Sequence, residues 1–141
     1  VAGPVRDNDG RLPGETSPAR ARRRGRLLIV EPDPLTRWSM STYLKRWFEV
    51  MTADSFDEAG GLLEASALEA LVVTDGLPAD QSRSIGQRAR DRNPDVITVQ
   101  TVTELPASDA RLANGEKLLE KPFELARLAR LLGVPEAEIP P

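Results

Sequence analysis

The chain has 141 residues and contains neither cysteine nor histidine. Without thiols there is no disulfide framework, no thiolate metal site and no cysteine nucleophile. Without imidazole there is no histidine-ligated zinc and no histidine general base. No apolar run approaches the roughly 20 residues that span a bilayer. The first 26 residues are polar and lack the apolar core of a signal peptide. A single domain of cytoplasmic location, with no membrane partner, is the expectation from length and composition.

Charge is unevenly spread. Residues 1–26 carry seven Arg against Asp7, Asp9 and Glu15, a net of +4. The remaining 115 residues carry 12 basic and 19 acidic side chains, a net of −7, so the whole chain stands at −3. Residues 1–25 are rich in Gly, Pro and Arg and show no hydrophobic period, which predicts a disordered basic arm. No aromatic residue is interleaved with its arginines, so nucleic acid is not an expected partner.

From Leu27 on, strand-like and helix-like segments alternate. Leu27–Val30 is a continuous apolar run, as in a strand buried on both faces of a parallel sheet. Pro34 to Phe48 follows, with Leu35, Trp38, Leu44 and Trp47 on a helical period, Asp33 placed to cap it and Pro34 at its first position. Glu49–Thr52 reads as a second strand. Ser55 to Ser66 reads as a helix with Glu58 three residues after its capping serine. Ala70–Thr74 is the third strand, Ser82–Arg92 a polar helix and Val96–Gln100 the fourth strand. Pro106–Leu112 is a weak helical stretch and Lys117–Glu120 a minimal fifth strand. Phe123–Leu132 is a final helix, stopped by Gly133 and Pro135. The domain is bounded at 26–133, with a tail over 134–141.

Five βα units in this order predict an α/β fold: an open five-stranded parallel sheet with helices on both faces. Ligands of such sheets bind outside the carboxyl ends of the strands. Glu31, Asp33, Asp75 and Thr101 all fall at those ends, and Lys121 follows the last strand. Acids and a lysine converging on one sheet edge form a phosphoryl-accepting constellation. Each residue also has a plainer role open to it: Asp33 a helix cap, Asp75 a turn before Gly76, Thr101 a β-former, Lys121 an exposed charge.

Four fragments carry a family resemblance. Val30-Glu31-Pro32-Asp33-Pro34-Leu35-Thr36-Arg37, Val72-Val73-Thr74-Asp75 with Leu77-Pro78, Gln100-Thr101 and Lys121-Pro122-Phe123 occur in the order and near the spacing of the response-regulator receiver domain of two-component signalling. The chain resembles a divergent, single-domain member over residues 26–133. The resemblance implies a flavodoxin-like (βα)5 fold that accepts a phosphoryl group from a histidine kinase or phosphotransfer protein on Asp75. It implies Mg2+ held by Glu31, Asp33 and Asp75, a switch hydroxyl on Thr101 and a phosphate-binding Lys121. Catalysis would be limited to self-phosphorylation from a phosphodonor and autodephosphorylation. Output would pass to a downstream protein or a homodimer face.

The chain departs from that pattern at informative places. Pro32 stands where the family has a second acid, which predicts weak or lost Mg2+ binding. The loop from Asp75 to Pro78 is one residue short. Leu118 replaces the aromatic that precedes the lysine, so an aromatic rotamer switch is not expected. A pseudo-receiver, a phosphorylation-independent interaction module on the same fold, is the alternative reading. A small nucleotide- or flavin-binding protein or a phosphatase is disfavoured, because no glycine-rich phosphate loop follows any strand.

Overall fold

The computed structural model describes residues 24–104 and 116–141. Residues 1–23 of the expected basic arm and the weak helix over 106–112 lie outside the described residues.

The strands are β1 (Arg26–Val30), β2 (Glu49–Ala53), β3 (Ala70–Val73), β4 (Ile97–Val102) and β5 (Glu116–Glu120). The described helices are α1 (Pro34–Leu44), α2 (Phe56–Ala65), α3 (Ala79–Arg92) and α4 (Leu125–Leu131), followed by a short 3-10 turn at Glu136–Glu138. The strands form one sheet in the order β2-β1-β3-β4-β5. Every pairing is parallel, with Ile29 opposite Val72 and Val72 opposite Val99. The expected neighbourhood of the first and third strands is therefore present. Among the described residues no helix is long and apolar enough to cross a membrane.

Alternation along the strands builds two cores. Leu27, Ile29, Ala70, Val72 and Val99 face one side and pack with Met40 and Leu44 of α1 and Leu128 and Ala129 of α4. Leu28, Val30, Leu71 and Val73 face the other and pack with Ala59 and Leu63 of α2 and Ile85 and Ala89 of α3. β1 and β3 are buried on both faces, which explains why they read as unbroken apolar runs.

Local chemistry sets the helix ends. Asp33 accepts a hydrogen bond from the Thr36 backbone N–H at 2.8 Å, and Pro34 opens α1. Ser55 accepts from the Glu58 N–H at 3.2 Å while the Glu58 carboxylate accepts from the Asp54 N–H at 2.7 Å, a reciprocal cap. Gly133, with φ +95°, ends the turn after α4.

Three sequence expectations need correction. First, α1 ends at Leu44 rather than at Phe48, and Trp47 and Phe48 turn into the core beyond it. The buried stripe of α1 is Met40 and Leu44, whereas Leu35 is 71% exposed and Trp38 65% exposed. Second, β4 runs to Val102 rather than stopping at Gln100, so Thr101 lies inside a strand. Third, the fold extends past both expected boundaries. The Arg24 N–H donates to the Trp47 carbonyl at 2.7 Å, and its guanidinium pairs with Glu138 at 3.3 Å. Val134 and Ile139 belong to the α1/α4 core.

The tail is thus part of the domain energetically. Ile139→Ala should lower stability by about 2 kcal/mol, the lower range for a buried aliphatic truncation. Urea unfolding checks this, and a midpoint unchanged from the parent would show that 134–141 is only an appendage.

Candidate functional site

The site lies where β1, β3 and β4 leave the sheet. Glu31 immediately follows β1. It is 3% exposed, on the sheet face lined by Ile29 and α1. Asp75 stands two residues after β3, beyond the fully buried Thr74. Lys121 follows β5, and its peptide bond to Pro122 is cis. The Lys121 Nζ lies 3.0 Å from Asp75 Oδ1 and 3.8 Å from Glu31 Oε1. One ammonium therefore bridges two carboxylates delivered by different strands. Of Glu31, Asp75, Thr101 and Lys121, expected to share one pocket, Glu31 and Asp75 have their carboxylates within ion-pair distance of the Lys121 amine.

The hydroxyl at the site is not the expected one. Thr101 is 0% exposed, and its Oγ1 has no hydrogen-bond partner among the described residues. Thr103 instead donates its hydroxyl hydrogen to Asp75 Oδ2. The cause is the length of β4. Because the strand continues through Val102, the first hydroxyl clear of the sheet edge is two residues further on. Thr103 was legible only as a second threonine of the same parity in Gln100-Thr101-Val102-Thr103.

The expected metal set is not gathered as predicted. Asp33 Oδ2 is engaged in capping α1, and the Asp33 N–H donates to Glu31 Oε2 at 3.0 Å. Arg37 Nη1, from the first turn of α1, donates to the Glu31 carbonyl at 2.8 Å and to the Pro32 carbonyl at 3.3 Å. Pro32 presents carbon to the loop after Asp75. A Cβ placed on Gly76 would stand 3.0 Å from Pro32 Cγ and 3.1 Å from Cδ, so any larger residue there would push the ring away by a few tenths of an ångström. Among the described residues no three His, Cys, Asp or Glu side chains are close enough to share a metal ion. The residues present do not fit a three-carboxylate magnesium site.

Beside the Lys121 amine runs an open groove of about 660 Å³, lined among others by Leu35, Met40, Thr103, Pro122, Phe123 and Leu125. Its walls are mostly apolar, with Lys121 and Thr103 at the end nearest Asp75.

Burial acts to raise the Asp75 pKa, but the Thr103 hydroxyl and the Lys121 ammonium outweigh it and hold the carboxyl below its usual value. The Thr36 hydrogen bonds at the helix N-terminus likewise lower Asp33.

No protein-family model matches the chain, and no curated protein does so. Solved structures do. A response-regulator receiver protein from Sinorhizobium medicae superposes with a TM-score of 0.65 at 21% identity, covering 79% of this chain and 96% of that one. The receiver domain of a sensor histidine kinase from Pseudomonas aeruginosa, with a magnesium ion coordinated in its active-site cleft, gives 0.61 at 20%, covering 76% and 93%. The chemotaxis protein CheY4 of Vibrio cholerae gives 0.65 at 18%, covering 77% and 95%. The fold of this chain is that of a response-regulator receiver domain.

The pairing at Asp75 has a signed consequence. Its lowered folded pKa contributes stability that is present above the unfolded value of about 3.9 and is lost as pH falls through the folded value. Lys121→Met removes the ammonium and leaves the burial, so the Asp75 pKa should rise. Carboxyl-carbon NMR titration measures it. An Asp75 pKa equal in the two proteins would mean that Lys121 does not neutralise it.

Proposed function

We propose that the chain is a receiver module of two-component signalling, with Asp75 as its phosphoacceptor. The carrying observation is the Lys121 ammonium lying within 4 Å of both Asp75 and Glu31 at the carboxyl edge of a receiver-fold sheet. A carboxylate is a poor nucleophile toward a phosphate unless positive charge offsets the repulsion. Lys121 supplies such a charge. In the proposed transfer an Asp75 oxygen forms a bond to phosphorus, the phosphorus–nitrogen bond of a phosphohistidine breaks, and its electron pair stays on the imidazole. The product is an acyl phosphate on Asp75. The Thr103 hydroxyl, already donating to Asp75, is positioned to donate to a phosphoryl oxygen instead.

These 141 residues contain no histidine, so the phosphohistidine comes from outside them. A histidine kinase or phosphotransfer protein is the partner class. The apolar surface adjoining the site is the α1 face with exposed Leu35 and Trp38, continuous with the groove that reaches Lys121. Large apolar side chains left in water next to a reactive group suit a docking protein. Signalling then passes to a downstream protein or to a second copy of the chain.

Two experiments test this. Intact-mass measurement after incubation with acetyl phosphate should show one added phosphoryl group, absent in Asp75→Asn. A protein that takes up none from acetyl phosphate or from a phosphorylated histidine kinase would remove the phosphoacceptor role and leave the pseudo-receiver reading. Trp38→Ala should raise the concentration of phosphorylated partner needed for half-maximal transfer roughly tenfold, the effect of losing about 1.4 kcal/mol of docking energy. An unchanged value would take the α1 face out of the reading.

A further inference from the structure

Most of the oxygens around Asp75 already have a partner from the protein. Both Asp75 oxygens are engaged, Oδ1 by the Lys121 ammonium and Oδ2 by the Thr103 hydroxyl. Glu31 Oε2 accepts from the Asp33 N–H, whereas Oε1 is buried without a hydrogen-bond partner among the described residues and has the Lys121 ammonium 3.8 Å away. The Asp33 carboxylate is turned to the α1 N-terminus. The backbone carbonyls of Glu31 and Pro32, the remaining oxygens of that loop, accept from the Arg37 guanidinium. Between the two loops stands the Pro32 ring, packed against Gly76 and offering only carbon.

A hard divalent cation needs the opposite of this. Magnesium takes six oxygens at octahedral positions and keeps part of its water shell, so it binds where carboxylates face it with free lone pairs and uncompensated charge. Here Lys121 and Arg37 set two positive charges against Glu31, Asp33 and Asp75. A cation entering would have to displace the lysine, break the helix cap or move the guanidinium, and would still meet the proline ring.

We propose that Lys121 replaces a divalent metal as the counter-charge of Asp75, and that Pro32 and Arg37 close the site to Mg2+. This rests on Asp75 being the working carboxylate of the chain. It differs from simple weakening by one lost ligand, because most of the oxygens that remain are held by donors from the protein itself and the exception, Glu31 Oε1, lies beside the Lys121 ammonium. The closure depends on one residue type at one position. An acid in place of Pro32 would add two oxygen acceptors beside Asp75 and remove the ring from Gly76.

The test reads binding directly. The full chain is titrated with MgCl2 to about 10 mM, roughly ten times the weakest Kd of oxygen-ligand calcium sites, while the Asp75 and Gly76 amide resonances are followed by NMR. Mn2+ serves as a paramagnetic probe of the same position. The wild-type resonances should neither shift nor broaden beyond those of exposed control residues such as Asp57 and Asp91. Pro32→Asp should acquire saturable shifts with MgCl2 and selective broadening with Mn2+. A wild-type chain that saturates with a Kd below about 1 mM, with Mn2+ broadening centred on Gly76, overturns the proposal. The wild-type titration decides this even where the variant fails to fold. A folded Pro32→Asp that still ignores both ions overturns the part assigned to Pro32. Phosphoryl transfer is not the readout. An Asp75 that accepts no phosphoryl group from any donor would defeat the function proposed above and leave the metal result standing.

Discussion

The parallel register of β1, β3 and β4 is the constraint on which the site depends. Parallel strands all leave the sheet at one edge, so the residues just beyond them are brought side by side however far apart they lie in sequence. Here Ile29, Val72 and Val99 share a row in the α1/α4 core. Two positions further along the same face come Glu31, Thr74 and Thr101. The first of these carries a charge into an almost closed environment, where an unpaired carboxylate would be costly. Lys121, delivered by β5 three strands away, answers it and reaches Asp75 with the same amine. The site is thus a consequence of the sheet: once the register is set, one lysine has two acids within reach.

What could be read from the sequence follows from how locally each feature is determined. β1 and β3 are enclosed on both faces, and continuous apolar runs are what such burial requires, so their existence and adjacency were legible. The caps at Asp33 and Ser55 were legible because a cap is a bond between residues three apart. Asp75, Glu31 and Lys121 were legible as acids and a base at element ends. The face of α1 was not. Leu35 and Trp38 share a period with Leu44, but the helix approaches the sheet only through Met40 and Leu44, and periodicity does not say how wide the covered stripe is. The tail was not legible either. Val134 and Ile139 are isolated apolar residues in a Pro- and Glu-rich stretch, and only the packed core shows where they go.

The exchange of Thr101 for Thr103 shows how a small boundary error becomes a chemical one. Strand ends read from sequence are uncertain by a few residues, and side chains alternate, so a one-residue error moves a group to the wrong face. An error of two keeps the face and changes the depth. Thr101 and Thr103 differ in that second way. The inner hydroxyl is sealed within the sheet edge, and the outer one contacts the carboxylate. Of the two hydroxyls, Thr103 is the one in contact with Asp75.

The loop from Glu31 to Arg37 ties the site to the helix that follows. Within seven residues it supplies the buried carboxylate, the proline packed on Gly76, the aspartate that caps α1 and the arginine that returns to hold two of the loop's own carbonyls. These contacts tie the loop to the first turn of the helix at several points. A change in charge at Asp75 alters the pull on Lys121, and Lys121 also bears on Glu31. The contacts that lead from Lys121 to the first turn of α1 are Glu31, its covalent neighbours and two hydrogen bonds from Arg37. Leu35 lies in that turn and Trp38 one turn beyond it, both in water. The exposed apolar residues of α1 and the buried Glu31 carboxylate are thereby joined through one loop, and the join is made by residues whose sequence signature was no more than a capped helix start.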